Sequence, residues 1–141
     1  MNMKLSIPQR GFTLLEIMVV VAIIGILLAA IVPNIVGRSD EARVVKARTD
    51  IHALENAMDL YRLDNGFYPS QDQGLQALLT QPNTPPVPTH WKQGGYIKRL
   101  PQDPWGNPYQ YRHPGVHSEV DIFSMGTAGL NATTEQEIGN W

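Results

Sequence analysis

Gly11-Phe12-Thr13-Leu14-Leu15-Glu16, followed by an apolar run from Ile17 to Val32, is the stretch on which the reading of this chain turns. All 16 residues of that run are apolar or glycine, and Glu16 is the one charge just before it. Extended from Phe12 at one end to Val36 at the other, the segment has 25 residues. As a helix that is about 37 Å, at about 1.5 Å per residue. A bilayer's hydrocarbon core is about 30 Å thick, so the segment can span it. Ahead of it lies a short leader with Lys4 and Arg10 and no acid, matching the tendency of basic residues to stay on the cytoplasmic side.

Three explanations compete for such a segment. A secretory signal peptide has an apolar region of about 7–15 residues ending at a small-residue cleavage site. Here the run is longer, and Ala29-Ala30 lead into more helical pattern. A plain signal anchor leaves Glu16 unexplained. A carboxylate in a membrane helix costs about 2.5–3.5 kcal/mol at mid-membrane and less at the interface, so it is usually functional or paired. Placement in the headgroup layer is the alternative for Glu16.

Beyond Pro33 the pattern becomes amphipathic. Ile51, Leu54, Met58 and Tyr61 fall at helical spacing, with Ala47 and Ala57 on the same face. Arg38, Asp40, Glu41, Arg43, Lys46, Arg48, Asp50, Glu55, Asp59 and Arg62 supply a solvated face. Asp64-Asn65-Gly66 reads as a helix stop. One helix is therefore expected from about Thr13 to about Leu63, bent near Pro33, which lacks a backbone donor and crowds the preceding turn. Gly74–Leu79 reads as a short helix, and Gln81–Thr89, with four prolines, as loop. Tyr96-Ile97-Lys98, Tyr109-Gln110-Tyr111 and Val120-Asp121-Ile122-Phe123 are the strand candidates, separated by turn residues as in an antiparallel meander. The fold class is α+β: a long N-terminal helix on a small head with about three antiparallel strands.

The rest of the composition excludes more than it selects. The 141 residues allow one compact domain, and 11 basic against 13 acidic side chains leave a net charge of −2. No broad basic face for nucleic acid follows. With no cysteine there is no disulfide, zinc-thiolate site or thiol nucleophile. His113 and His117 are four apart, but Pro114 and Gly115 between them argue for a surface loop rather than a helical metal site. No phosphate-binding loop, dinucleotide fingerprint or framed nucleophile is present, so an enzyme is not expected.

Gly11-Phe12-Thr13-Leu14-Leu15-Glu16, after a basic leader and before an apolar helix, resembles the class III signal of type IV pilins and pseudopilins. The resemblance implies that a prepilin peptidase cuts between Gly11 and Phe12, that the Phe12 amine is methylated, and that the apolar helix remains. Removing Lys4 and Arg10 leaves 9 basic and 13 acidic side chains, a net −4. It further implies that Glu16 pairs with the Phe12 amine of another subunit in a filament, and that the helix between Gly25 and Pro33 can unwind there. A second set of motifs lies downstream: Gly95-Tyr96-Ile97, Leu100-Pro101, Asp103-Pro104-Trp105-Gly106-Asn107-Pro108-Tyr109-Gln110-Tyr111, Asp121-Ile122-Phe123-Ser124-Met125-Gly126 and Ile138-Gly139-Asn140-Trp141. Together they resemble the major pseudopilins of type II secretion, the general secretion pathway protein G family.

That likeness implies three segments: a cleaved leader at 1–11, a transmembrane or filament-core helix at 12–36, and a periplasmic head at 37–141. It implies a single-pass inner-membrane protein that joins a homopolymer and pushes folded exoproteins across the outer membrane. Minor pseudopilins, an inner-membrane assembly platform, the secreted proteins and membrane lipid would be its partners. A type IV pilus subunit and a membrane-anchored periplasmic binding module are the alternatives. The family commonly binds calcium before the terminal Ile-Gly-Asn-Trp. Here Met125 and Leu130 could offer carbonyls, Thr133 or Thr134 a hydroxyl, and Glu135, Gln136 or Glu137 align with the second carboxylate position. Ala128 stands where the family has an Asp, so calcium is not expected, because ligand charge sets affinity. Trp105 is expected to plug the head's core, and Trp141 to pin the last segment.

Overall fold

The computed structural model describes residues 11–141, apart from the side chains of residues 31–38. It divides into two compact units, Met1–Ser39 and Asp40–Trp141. Helix α1, Leu14–Asn65, contributes to both. Most of the expected leader lies outside the described residues, and the α1 backbone runs as helix through Pro33 without a break. Gly25 is helical, with open space where a Cβ would stand.

In the first unit, α1 opens on Thr13. Its Oγ1 accepts the Glu16 amide at 3.2 Å, satisfying one of the amide donors that a helix start leaves without a partner. From Phe12 to Leu28 the large apolar side chains are exposed, Leu14 to 80% and Ile17 to 49%. Among the described residues no helix is long and apolar enough to cross a membrane. Within the apolar run the described side chains end at Ala30; those of Ile31 and Val32, which continue it, lie outside them.

The second unit is built on the C-terminal half of α1. Ala47, Ile51, Leu54, Ala57, Met58 and Tyr61 are buried, the face expected from their spacing. Each large side chain buried this way contributes about 1.5–3 kcal/mol. α1 ends where Gly66 takes φ 82° and its amide donates to the Arg62 carbonyl at 2.7 Å. A 3₁₀ helix, Gly74–Leu78, adds Leu75, Ala77 and Leu78 to the core. The loop after it is held by Gln73, whose Nε2 donates to the carbonyls of Thr84 (2.6 Å) and Pro86 (3.0 Å).

The antiparallel sheet has three strands in the order β1, β2, β3: Gln110–Arg112, Asp121–Ser124 and Ile138–Gly139. Tyr111 pairs with Ile122, Arg112 with Asp121, and Phe123 with Gly139. The strand expected at Tyr96-Ile97-Lys98 is not formed. Gly94 and Gly95 hold positive φ there, and the Tyr96 amide donates instead to the Leu78 carbonyl at 2.8 Å. The third strand is Ile138–Gly139, two residues that carry too little alternation to be read as a strand. Trp105 is half-buried and packs against the core rather than filling it.

Three core tyrosines carry an alkaline signature. Tyr61 is pushed up to about 12, by burial first and by Tyr96 second, and its hydroxyl has no hydrogen-bond partner. Burial also raises Tyr109, helped by Asp50, and Tyr111. A folded-state value above the ordinary 10.0 means stability that is present below pH 10 and lost as pH rises through the folded value. The melting temperature is expected to fall between pH 10.0 and about 12. Tyr61→Phe should flatten that fall while changing neutral-pH stability by less than about 1 kcal/mol, since its hydroxyl has no bond to lose. Thermal melts of both proteins across pH check this.

Candidate functional site

Two places carry the residues expected to matter. At the start of α1, Phe12 is 80% exposed and Glu16 lies exposed in the helix's first turn. Gly11 precedes them in non-helical backbone. The Thr13 cap was not anticipated, although Thr13-Leu14-Leu15-Glu16 has the Thr-x-x-Glu pattern of a capping box. Its role is local: it sets where the helix begins, and hence how far Glu16 stands from Phe12.

The second place is the C-terminal end of the head, organised by three side chains unremarked at the sequence level. Asp103, 4% exposed, accepts the amides of Trp105 (3.1 Å) and Asn107 (2.7 Å) on Oδ1 and the Ser124 hydroxyl (2.6 Å) on Oδ2. It therefore joins the Asp-Pro-Trp-Gly turn to β2. Asp121 is fully buried at the start of β2 and accepts amides from Val116 (2.7 Å), His117 (3.2 Å) and Ser118 (3.0 Å). Burial acts to raise its carboxyl; those amides and the His117 ring outweigh it and hold the group below the usual carboxylate range. Gly115 lets the loop close, for a Cβ there would stand 2.4 Å from the Ser118 carbonyl and 2.7 Å from Asp121 Oδ1. Asn140 links three elements, accepting the Ile122 amide (3.1 Å) and donating to Glu55 of α1 (3.0 Å) and the Val120 carbonyl (3.2 Å). The signal for the two aspartates was an acid inside a turn or strand pattern, which implies burial with amide donors.

Between β2 and β3 the chain makes two 3₁₀ turns, Gly126–Asn131 and Thr134–Gln136. Met125 leads into the first, Leu130 is 93% exposed, and Thr134 and Glu135 are exposed. Thr133 and Gln136 form a reciprocal capping box. Glu137 turns the other way: its Oε1 accepts from Arg112 Nη2 at 3.3 Å. These residues do not fit a calcium ion. Ala128 offers no carboxylate, Glu137 is engaged by a guanidinium, and no group of three or more His, Asp or Glu among the described residues could hold a metal. The set Met125, Leu130, Thr134, Glu135 and Glu137 is thus not assembled as a ligand shell.

The two histidines keep separate company. The His113 ring meets the Pro69 carbonyl at 2.9 Å, while the His117 ring stacks on Trp141 at 3.8 Å and 11°. That stack pins the last residue, as expected of Trp141, although the ring itself remains 42% exposed. It requires Gly139, where a Cβ would stand 2.1 Å from the Trp141 ring. Gly139→Ala is expected to displace Trp141 and cost about 1–3 kcal/mol. Near-ultraviolet circular dichroism and denaturant melts check both effects.

Against known proteins, residues 34–141 match the family described as type II secretion system (T2SS), protein G. Residues 8–32 match the prokaryotic N-terminal methylation motif. The type II secretion system core protein G of Aeromonas hydrophila is 56% identical over 133 residues, 94% of this chain and 92% of that protein. Its counterpart in Vibrio cholerae is 55% identical over 141 residues, 99% of this chain and 96% of that one. The crystal structure of the major pseudopilin from the type 2 secretion system of enterohaemorrhagic Escherichia coli superposes with a TM-score of 0.70 at 50% identity. That match covers 74% of this chain and 87% of that one.

Proposed function

The chain belongs to the type II secretion system protein G family, and from that premise we propose that it works as the major pseudopilin, a structural subunit that polymerises to move folded proteins across the outer membrane. The observation that carries the reading is the first half of α1: apolar side chains exposed from Phe12 to Leu28, opened by one acid, inside a match to the N-terminal methylation motif. Such a surface is stable only in lipid or against other apolar helices.

In this reading a prepilin peptidase removes residues 1–11, and the segment 12–36 anchors the protein in the inner membrane with its head in the periplasm. An assembly platform then draws it into a filament capped by minor pseudopilins. The Glu16 carboxylate pairs with the Phe12 amine of a neighbour. At about 4 Å such a pair gains roughly 4 kcal/mol at an effective dielectric of about 20, much of it consumed by desolvation. What remains acts as register, because a misplaced subunit would bury a carboxylate with no partner. Gly25 and Pro33 weaken α1 where the packed helices need to stretch. The subunit itself makes and breaks no bonds.

Glu16→Ala is expected to be inserted and trimmed normally but to lower filament yield and secretion by about tenfold or more. Cell fractionation, filament imaging and an exoprotein assay read the three steps separately, and normal filaments would sink the pairing role. Gly11→Val is expected to keep its leader, which the intact mass of the membrane form reports directly.

A further inference from the structure

We propose that Arg112 is the resident cation of the C-terminal segment: its guanidinium holds Glu137 and Asp121 together, so the head closes over residues 125–137 without a divalent ion. The inference does not depend on the secretory reading. The loop's donor atoms do not make a calcium shell, and the half-buried Glu137 and buried Asp121 still need a neutralising charge.

Arg112 ends β1, opposite Asp121 in register. Its Nη2 donates to Glu137 Oε1 at 3.3 Å, while its Nη1, buried with no hydrogen-bond partner, lies 3.6 Å from Asp121 Oδ2 as an ion pair. The guanidinium carbon sits 4.5 Å above the Phe123 ring. One planar cation, on the last residue of β1, thus touches two residues of β2 and the residue that enters β3. The geometry suits Arg, which can face two carboxylates along its edges and lay its flat face on an aromatic ring. The surroundings are dry: the Asp121 side chain is 0% exposed, that of Glu137 9%, and that of Arg112 31%.

The remaining contacts give the arrangement its weight. Asp121 also receives the three amides of Val116, His117 and Ser118, with the His117 ring 3.4 Å away. Glu137 has no such support. Its Oε1 meets Arg112 alone, and its Oε2 is buried with no hydrogen-bond partner. Without Arg112, Glu137 would be a buried carboxylate close to a second one, and would have to leave for water. Leaving would pull Ile138–Gly139 from β2, because Glu137 directly precedes that strand. Thr133, Gln136 and Ala132 close the loop by bonds within it, so the Arg112 contact is the charged tie from the loop's end to the rest of the sheet.

Amide hydrogen exchange on the full mature chain in detergent micelles tests this. In the wild type, residues 122–140 should exchange equally, within about twofold, in excess EDTA and in millimolar calcium chloride. Arg112→Met should speed exchange at 125–139 by about tenfold or more in both conditions, with Arg112→Lys between the two. If Arg112→Met fails to fold, Glu137→Gln decides. It keeps the shape and the Arg112–Asp121 contact, and should loosen 125–139 while leaving α1 protected. EDTA that speeds wild-type exchange tenfold, or a folded Arg112→Met (or, if it does not fold, Glu137→Gln) that exchanges like the wild type, would overturn the proposal.

Discussion

An apolar helix surface with a single carboxylate near its start dominates the physics of this protein. From Leu14 to Leu28 the exposed side chains of α1 are almost all Leu, Ile, Val or Met. In a bilayer that surface is at rest. In a filament it would be equally at rest, since lipid tails are as apolar as leucine, so the hydrophobic effect alone favours neither place. What separates the two states is close helix packing and the fate of Glu16. A carboxylate near the membrane interface is tolerable, and one enclosed by apolar helices is not unless a cation meets it. In the proposed filament the one charge in the greasy segment would therefore have far more leverage on packing than its neighbours.

The head is held together differently. Its sheet is short, and backbone ladders cannot account for its order alone. The polar side chains that pin it are few: buried Asp103 on the turn before β1, Asp121 at the entry of β2 and Gln73 on the proline-rich loop, and half-buried Asn140 after β3. Each bonds to two or more backbone groups, so each fixes a loop that propensity leaves free. Tyr109 and Tyr111 work alike from inside the core, donating to Asp50 of α1 and to the Pro69 carbonyl at 2.9 Å each. The buried face of α1 serves as the template on which these pieces are laid.

How much of this could be read in the chain varies with the distance over which the cause acts. The buried stripe of α1 and its stop at Gly66 were legible, because helical spacing and a positive-φ glycine are local matters. Ile138–Gly139 was not, because a two-residue strand exists only through its partner. Tyr96-Ile97-Lys98 looked like a strand for its residue types, yet the paired glycines before it and the waiting Leu78 carbonyl sent its backbone elsewhere. In the loop between β2 and β3 the missing carboxylate at Ala128 was visible, whereas the guanidinium facing Glu137 was not.

By itself, the order of residues determined the long helix, its greasy and amphipathic halves, and the lone acid at Glu16. These follow from periodicity, length and transfer free energy, which need no knowledge of what lies across the fold. Only the tertiary structure decided which acids are buried and what meets them. Arg112 and Glu137 are 25 residues apart, and Glu55 and Asn140 are 85 apart. No local rule pairs them; the sheet and the α1 template bring them within reach, where the low local dielectric strengthens the contact.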